Sequence, residues 1–218
     1  MTELQQSDLP KGGLYKRLFA RFYDGFMKEY EEYIACHKQG LFEGISGTVL
    51  EIGPGTGVNL RYIPKDSRWI GVEPNPHMHE YLRRKAREAE IEPELHVTGA
   101  DGFEVEDGVA DVAISTLVLC SVPDVDQVLG EIRRVLKPGG RFLFIEHVAA
   151  RQGSGLRFVQ SSLFPFWYLF GDGCRINRDT GQSIREAGFD SVEIDEFRVP
   201  KRKVPAWVTP HIRGFAIR

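Results

Sequence analysis

The residues with the clearest chemical potential form the run Val49-Leu50-Glu51-Ile52-Gly53-Pro54-Gly55-Thr56-Gly57. An apolar strand leads into a glycine-rich turn, and a helix is predicted from Val58. Glycine is required where the backbone takes unusual dihedrals and where no Cβ can stand between main chain and ligand. Two acids extend the pattern. Glu73 ends the next predicted strand, 20 residues after Gly53, a position from which a carboxylate accepts hydrogen bonds from both hydroxyls of a ribose. Asp101 follows a third strand in Gly99-Ala100-Asp101-Gly102, where it can accept from an adenine amino group. The loop and both acids lie at carboxyl ends of strands, where open α/β sheets bind ligands.

The ligand so described is a nucleoside, and two are in question. The dinucleotide fingerprint is G-x-G-x-x-G, with pyrophosphate on the helix N-terminus. Here the third glycine comes one residue early, at Gly57, and Val58 holds the fingerprint's position. Glu51, just ahead of the loop, repels a diphosphate and attracts a sulfonium or amino group. S-adenosylmethionine (SAM) offers adenosine, a positive sulfur and no phosphate, so it is favoured over NAD. A glycine turn without a ligand is the bland alternative, and the two acids in register argue against it.

Methyl transfer from SAM needs alignment and exclusion of water more than acid–base chemistry. A base is needed only where the acceptor carries a proton. A thiol does so in part, since the thiolate is the nucleophile and the free pKa is ~8.5. His147, directly after Glu146, and Asp172, between Gly171 and Gly173, are the candidate catalytic residues. A free imidazole, with pKa ~6.5, takes a proton near neutrality. Each has a structural alternative: a histidine bonded within a strand end, and a turn whose aspartate bonds its own backbone. His211 reads as structural. Cys120 and Cys174 have no neighbour in sequence that marks them as activated, and read as small buried hydrophobes. With Cys36 they stand too far apart for a CxxC knuckle, and no His/Asp/Glu run has ligand spacing, so no metal is expected.

These residues need a scaffold, and the middle of the chain supplies one. Strands are predicted at 47–52, 69–72, 95–98, 110–117, 141–146, 192–197 and 208–217, with helices at 75–89 and 124–136. The first five alternate with helices, the pattern of a parallel sheet covered on both faces. No helix separates the last two, which predicts a final antiparallel pair. The expectation is one domain: a Rossmann-like, mainly parallel seven-stranded sheet. Residues 1–46 form a helical cap, 47–147 the SAM-binding core and 148–218 the half that shapes the acceptor pocket.

Two segments lie outside that core. Leu14, Tyr15, Leu18, Phe19, Phe22, Tyr23 and Phe26 make one apolar stripe at helical spacing. It reads as a helix packed on the core or lidding the site, with peripheral membrane contact as the alternative. Residues 156–170 are dense in aromatics, and Phe158, Leu163, Phe164, Phe166, Trp167 and Phe170 are expected as walls of an apolar chamber. Such a chamber suits a small lipophilic acceptor.

Composition narrows the setting. The chain has 218 residues, 42% hydrophobic and 27% charged, as a globular domain does. Lys+Arg 28 against Asp+Glu 31 gives a net charge of -3, which removes the electrostatic footprint of a nucleic-acid binder. The longest apolar run, residues 163–170, falls far short of the ~20 residues that span a bilayer. The start is polar with no apolar h-region, so no secretory signal is expected. Three cysteines cannot all pair, and a reducing, cytoplasmic setting is expected.

Taken together, Glu51-x-Gly53-x-Gly55-x-Gly57, Glu73, Asp101 and Leu136-Lys137-Pro138-Gly139-Gly140 resemble the class I SAM-dependent methyltransferases over about residues 47–146. A narrower likeness reaches the C-terminus. Pro74-Asn75-Pro76, Thr116-Leu117-Val118-Leu119-Cys120-Ser121-Val122, Glu146-His147-Val148, Asp172-Gly173-Cys174 and Pro210-His211-Ile212 resemble the microsomal thiol S-methyltransferases. That branch methylates small alkyl thiols and, in animals, carries an N-terminal hydrophobic anchor. This sequence begins instead with a polar stretch and an amphipathic helix, and has Pro54 where the branch usually has cysteine. The resemblance implies that Gly53, Gly55 and Gly57 face the methionine part of SAM, Glu73 the ribose and Asp101 the adenine, with Pro74 among the cofactor-binding residues. It also implies that Met78 and Gly102-Phe103 flank the adenine ring, that Thr116 and Leu117 line the methyl side, and that Tyr15 or Tyr23 closes over the cofactor. The expected activity is methyl transfer from SAM to a small lipophilic acceptor, with a thiol favoured. Oxygen, nitrogen or carbon acceptors, including lipid or quinone head groups, and SAM binding without turnover are the alternatives.

Overall fold

The computed structural model describes residues 13–99, 102 and 104–218. Its strands are β1 (Thr48–Ile52), β2 (Arg68–Val72), β3 (Pro93–His96), β4 (Ala110–Thr116), β5 (Leu136–His147), β6 (Ser191–Arg198) and β7 (Pro210–Ile217). They form one sheet in the order β3-β2-β1-β4-β5-β7-β6. The first five run parallel, and β7 is antiparallel to both β5 and β6. Strand order reverses between β1 and β4, the switch point beside which such sheets open a crevice at their carboxyl ends.

Side chains alternate across each strand, so the central strands feed two cores. Leu50, Ile52, Phe142 and Phe144 pack against Val128, Leu129 and Ile132 of α3 (Val125–Val135) and Ile184 of α5 (Thr180–Glu186). On the opposite face Val49, Trp69, Val112, Ile114 and Leu143 meet Leu82 and Ala86 of α2 (His79–Glu88). Phe42 and Ile45, just past α1 (Gly13–Leu41), join them there. Central strands buried on both faces explain the unbroken apolar runs in the sequence. Helix α3 starts where expected because the Asp124 carboxylate accepts the backbone N–H groups of Asp126 and Gln127.

Several predicted boundaries move. No α-helix follows the glycine loop; turns lead into a single 3-10 turn, Leu60–Tyr62, and Ile63 is extended. Pro64 is the reason, since a proline disfavours helical dihedrals in the residue before it. Helix α2 begins at His79 rather than Asn75, because the Asn75 side chain accepts the His77 N–H and holds a separate turn. Strand β5 begins at Leu136, its added residues pairing with Arg218 through the Gly139 N–H and the Gly140 carbonyl. Strand β7 starts at Pro210, after a 3-10 turn at Ala206–Val208. The apolar stripe is the first half of α1, and the aromatic segment is a helix, α4 (Gly155–Phe170). No described helix is long and apolar enough to cross a membrane.

Candidate active site

A cavity of about 600 Å³ opens at the carboxyl ends of β1, β2, β4 and β5, with α1 across its mouth. One end is built by the glycine loop. Gly53 and Gly55 have φ of 58° and 56°, in the left-handed region that glycine enters without a Cβ penalty. A Cβ on Gly53 would stand 2.6 Å from Val118, so the close approach of loop to the β4 turn also demands glycine. Glu73 faces this loop and is 6% exposed. Its Oε2 accepts the Gly55 N–H at 3.0 Å and its Oε1 the Asn75 N–H at 2.8 Å. Burial raises its pKa against the pull of these two bonds. A carboxylate has about four acceptor positions, so both oxygens retain capacity for ligand hydroxyls.

Pro74, Met78, Gly99 and Leu117 complete that end. The two lysines on the wall already have partners: Lys16 bonds Asp172 at 2.8 and 3.0 Å, and Lys203 lies 3.3 Å from Glu29. Among the described residues the lining therefore offers a diol acceptor and open backbone with no uncommitted ammonium for a diphosphate, a donor set that fits SAM better than NAD.

Helix α1 is fastened over this end by polar contacts. Asp24 accepts from Thr56 Oγ1 at 2.5 Å and from Lys85 at 2.8 Å, tying α1 to the loop and to α2. The Tyr15 hydroxyl donates to the Phe170 carbonyl at 3.1 Å, and Asn75 donates to the Lys16 carbonyl at 3.3 Å. Tyr23 stands half-buried beside Gly55, and Asp172 reaches the wall with φ 50°, its carboxylate held by Lys16.

The far end is apolar, with Met27, Tyr30, Trp167, Val204 and Val208, while Phe19 lines the cavity against Tyr23. Of the residues expected from α4 as chamber walls, Trp167 and Phe170 line the cavity, although Phe170 is 75% exposed, and Phe158, Leu163, Phe164 and Phe166 are not on its wall. A helix turns 100° per residue, so only one stripe of that run can face inward. Val204 and Pro205, from the connection between β6 and β7, are walls that sequence reasoning missed.

A group of sulfur and nitrogen atoms closes this end. His147 Nε2 lies 2.8 Å from Cys174 Sγ, and the Trp167 indole N–H points at the same sulfur at 3.1 Å. The ligand atoms of Cys120, His147 and Cys174 all fall within 4.8 Å of one another. Both cysteines are buried in an apolar cluster with Ile176 and Val208, as read from the sequence, and the fold adds what spacing along the chain did not show, that they stand together beside His147. Burial pushes the Cys174 thiol well up, while its hydrogen bond to Cys120, with the charge of His147, holds Cys120 well below the usual thiol range. Burial is the largest influence on His147 and lowers its pKa, but the charge and hydrogen bond of Cys120 together with the charge of Glu146 outweigh it and raise it. His211, also on the wall, is pushed to about 3 by burial and by His147.

The turns that carry the group are tightly held. Glu146 Oε1 accepts the Ser115 hydroxyl at 2.6 Å and the Val118 and Leu119 N–H groups at 3.1 and 3.2 Å, folding the turn after β4 onto β5. Burial raises Glu146 to about 7. The Arg175 N–H donates to the Cys120 carbonyl at 2.8 Å, and Arg178 grips the Leu119 and Val122 carbonyls.

Four expected cofactor contacts lie elsewhere. Glu51 is 1% exposed, and its carboxylate accepts from Asn59 at 2.9 Å and from the Trp69 indole at 3.0 Å. Side-chain alternation turns it onto the α2 side of the sheet, behind the loop, where burial raises its pKa to about 7. Thr116 is also behind the wall, accepting from Asn59 at 3.1 Å. Gly57 packs the turn, since a Cβ there would reach 2.8 Å from Leu60. Gly102 is exposed and off the cavity wall. Asp101 and Phe103 lie outside the described residues.

Residues 50–144 match the family described as methyltransferase domain. The human thiol S-methyltransferase TMT1A is 35% identical over 216 residues, covering 93% of this chain and 87% of the relative. Human thiol S-methyltransferase TMT1B is 38% identical over 180 residues, 80% of this chain and 73% of the relative. Among solved structures, geranyl diphosphate C-methyltransferase from Streptomyces coelicolor, in complex with S-adenosyl-L-homocysteine, superposes with a TM-score of 0.63. At 17% identity, over 84% of this chain and 76% of that one, it shares the fold.

Proposed function

The chain belongs to the class I SAM-dependent methyltransferases, in the branch of the thiol S-methyltransferases, and from that premise we propose that its acceptor is the sulfur of a small lipophilic thiol. The observation that carries this reading is the far end of the cavity, apolar on its walls and closed by two thiols and an imidazole. When bound, SAM supplies an electrophilic methyl group on a sulfonium whose leaving group is a neutral thioether.

The remaining work falls to the protein. Glu73 fixes the ribose through its free lone pairs, Gly53 and Gly55 admit the ligand to the backbone, and Met78 and Leu117 pack against it. Phe19, Met27, Trp167 and Val204 exclude water and favour an apolar acceptor. The acceptor's sulfur then lies beside Cys120, His147 and Cys174, so His147 meets it as part of a group rather than as a lone base. Asp172, held by Lys16, positions α1 over the cofactor. Both wall lysines are ion-paired, which disfavours a phosphorylated acceptor. Orientation and desolvation of this kind can supply about 7–11 kcal/mol of a barrier.

The test is a panel of small alkyl and aryl thiols, phenols and amines given to the purified protein with SAM. Products are identified by mass spectrometry against S-adenosylhomocysteine release. The expected product is a methyl thioether. O- or N-methyl products without any thioether overturn the choice of sulfur, and SAM binding with no product from any class overturns turnover itself.

A further inference from the structure

The group at the end of the chamber has the composition of a metal site. We propose that Cys120 Sγ, His147 Nε2 and Cys174 Sγ hold a zinc ion whose fourth position faces the cavity and receives the acceptor's sulfur. The second half of this statement rests on the thiol reading above; the first half does not.

The donor set points to the ion. Two thiolates and an imidazole are soft and borderline ligands, suited to zinc and unsuited to magnesium or calcium. Three protein ligands with one open position is the arrangement of a zinc that takes a substrate, whereas a closed set of four is structural. The geometry is close to what the ion requires. With Zn–S of about 2.3 Å and Zn–N of about 2.0 Å, tetrahedral donors stand about 3.5–3.8 Å apart. The three donor atoms here already lie within 4.8 Å of one another, and the closest pair, His147 Nε2 and Cys174 Sγ at 2.8 Å, needs to open by less than about 1 Å.

Position supports it further. The ligands come from three separate places: the turn after β4, the end of β5 and the turn after α4. The first and third are joined by the Arg175 N–H to Cys120 carbonyl bond, and the third is set by the Gly173 N–H donating to the Tyr168 carbonyl at 2.9 Å. All three residues are buried, and all three line the cavity. The Trp167 indole N–H, 3.1 Å from Cys174 Sγ, is a donor of the kind that orients and tunes a metal-bound thiolate. His147 Nδ1 is buried with no hydrogen-bond partner among the described residues, so Nε2 is the ring's engaged atom.

The chemistry balances. A zinc ion with two thiolates is neutral. An acceptor thiol that binds as the fourth ligand gives up its S–H proton to water, as a coordinated thiol does, and becomes an anion facing the sulfonium. Its sulfur lone pair forms the new S–C bond while the methyl–sulfonium bond breaks, that pair staying on the departing sulfur as a neutral thioether. The methylated acceptor is itself a neutral thioether, a weak ligand, and leaves the ion.

The 218-residue protein, freed of metal by a chelator under reducing conditions, is titrated with cobalt(II) and then zinc. The expected result is one equivalent of cobalt, with thiolate charge-transfer and tetrahedral visible bands, displaced by one equivalent of zinc. Cys120→Ser and Cys174→Ser, each checked for folding by circular dichroism, are expected to weaken zinc binding by more than about 100-fold, while Cys36→Ser on α1 changes nothing. His147→Gln serves as the third arm if either serine variant is misfolded. A small thiol added to the cobalt form is expected to shift the visible bands. Absence of thiolate–cobalt bands, or binding that survives the loss of these ligands, overturns the site. Bands indifferent to added thiol overturn the open position. Metal binding without thioether formation counts against the thiol reading alone, and thioether formation by metal-free protein counts against the metal alone.

Discussion

Replacing Glu73 by alanine tests the cofactor end of the cavity most sharply. Its carboxylate is buried, already accepts the Gly55 and Asn75 N–H groups, and faces the chamber. Hydrogen bonds to a charged group are worth about 1.5–3 kcal/mol each, so one or two of them to ribose hydroxyls amount to about 1.5–6 kcal/mol. At tenfold per 1.4 kcal/mol, SAM affinity is expected to fall by at least about 10-fold and by up to about 10,000-fold. The same change frees two backbone donors and can disturb the loop, so affinity alone does not separate contact from collapse. The separation comes from a cycle with S-adenosylhomocysteine and its 2′- and 3′-deoxy analogues, read by calorimetry. In the parent protein each missing hydroxyl is expected to lose affinity; in Glu73→Ala the deoxy analogues and the full ligand are expected to bind equally. Unchanged affinity in the variant, or a deoxy penalty that persists there, refutes the ribose role.

Other outcomes follow from the same geometry. Gly53→Ala places a Cβ 2.6 Å from Val118 at a φ of 58°, whereas Gly55→Ala keeps 3.8 Å of room beside Tyr23 at a φ of 56°. Thermal melts and SAM titrations are expected to show Gly53→Ala as the more damaging by at least about 1 kcal/mol, and the reverse order would undo the close-approach account. Glu51, ordinarily near 4.5 and pushed to about 7 by burial, binds its proton more tightly folded than unfolded. Its contribution is therefore full below pH 4.5 and lost as pH rises through 7, by about 3 kcal/mol at most. Denaturant melts of Glu51→Gln against the parent between pH 4 and 9 are expected to show that falling difference, and a flat one contradicts it. Asp172→Asn, which cuts the Lys16 ion pair, is expected to raise the SAM dissociation constant by less than about tenfold and leave kcat near the parent's; a kcat loss of about 100-fold or more is what a general base produces.

What was legible in the sequence was local. The loop and Glu73 are specified by glycine spacing and by a strand end a fixed distance on, and the antiparallel pair by the missing crossover helix between β6 and β7. The helix after the loop was misjudged because Pro64, six residues beyond Val58, stops it. Glu51 was assigned to the cofactor by its proximity to the loop. Yet Leu50 and Ile52 face α3 while Val49 shares its face with α2, and alternation alone puts Glu51 on the Trp69 side. The sulfur–imidazole group was not legible as a group. Its members are 27 residues apart in sequence at the nearest, Cys120 to His147 and His147 to Cys174. Only adjacency of β4 and β5 in the sheet, with α4 returning over them, joins the three. A hint was present in that Cys120 follows β4 and His147 ends β5, two strands whose carboxyl ends border the crevice.

The central claim is that one chamber holds SAM at Glu73 and presents its methyl group to a thiol sulfur at the far end. SAM carrying an isotopically labelled methyl group, incubated with purified protein and a small lipophilic thiol, measures it directly by mass spectrometry. The account predicts the label on sulfur, one S-adenosylhomocysteine formed per methyl thioether, and loss of both in Glu73→Ala at subsaturating SAM. Label that stays on SAM, or that moves to an oxygen or nitrogen acceptor while thiols are left untouched, contradicts it.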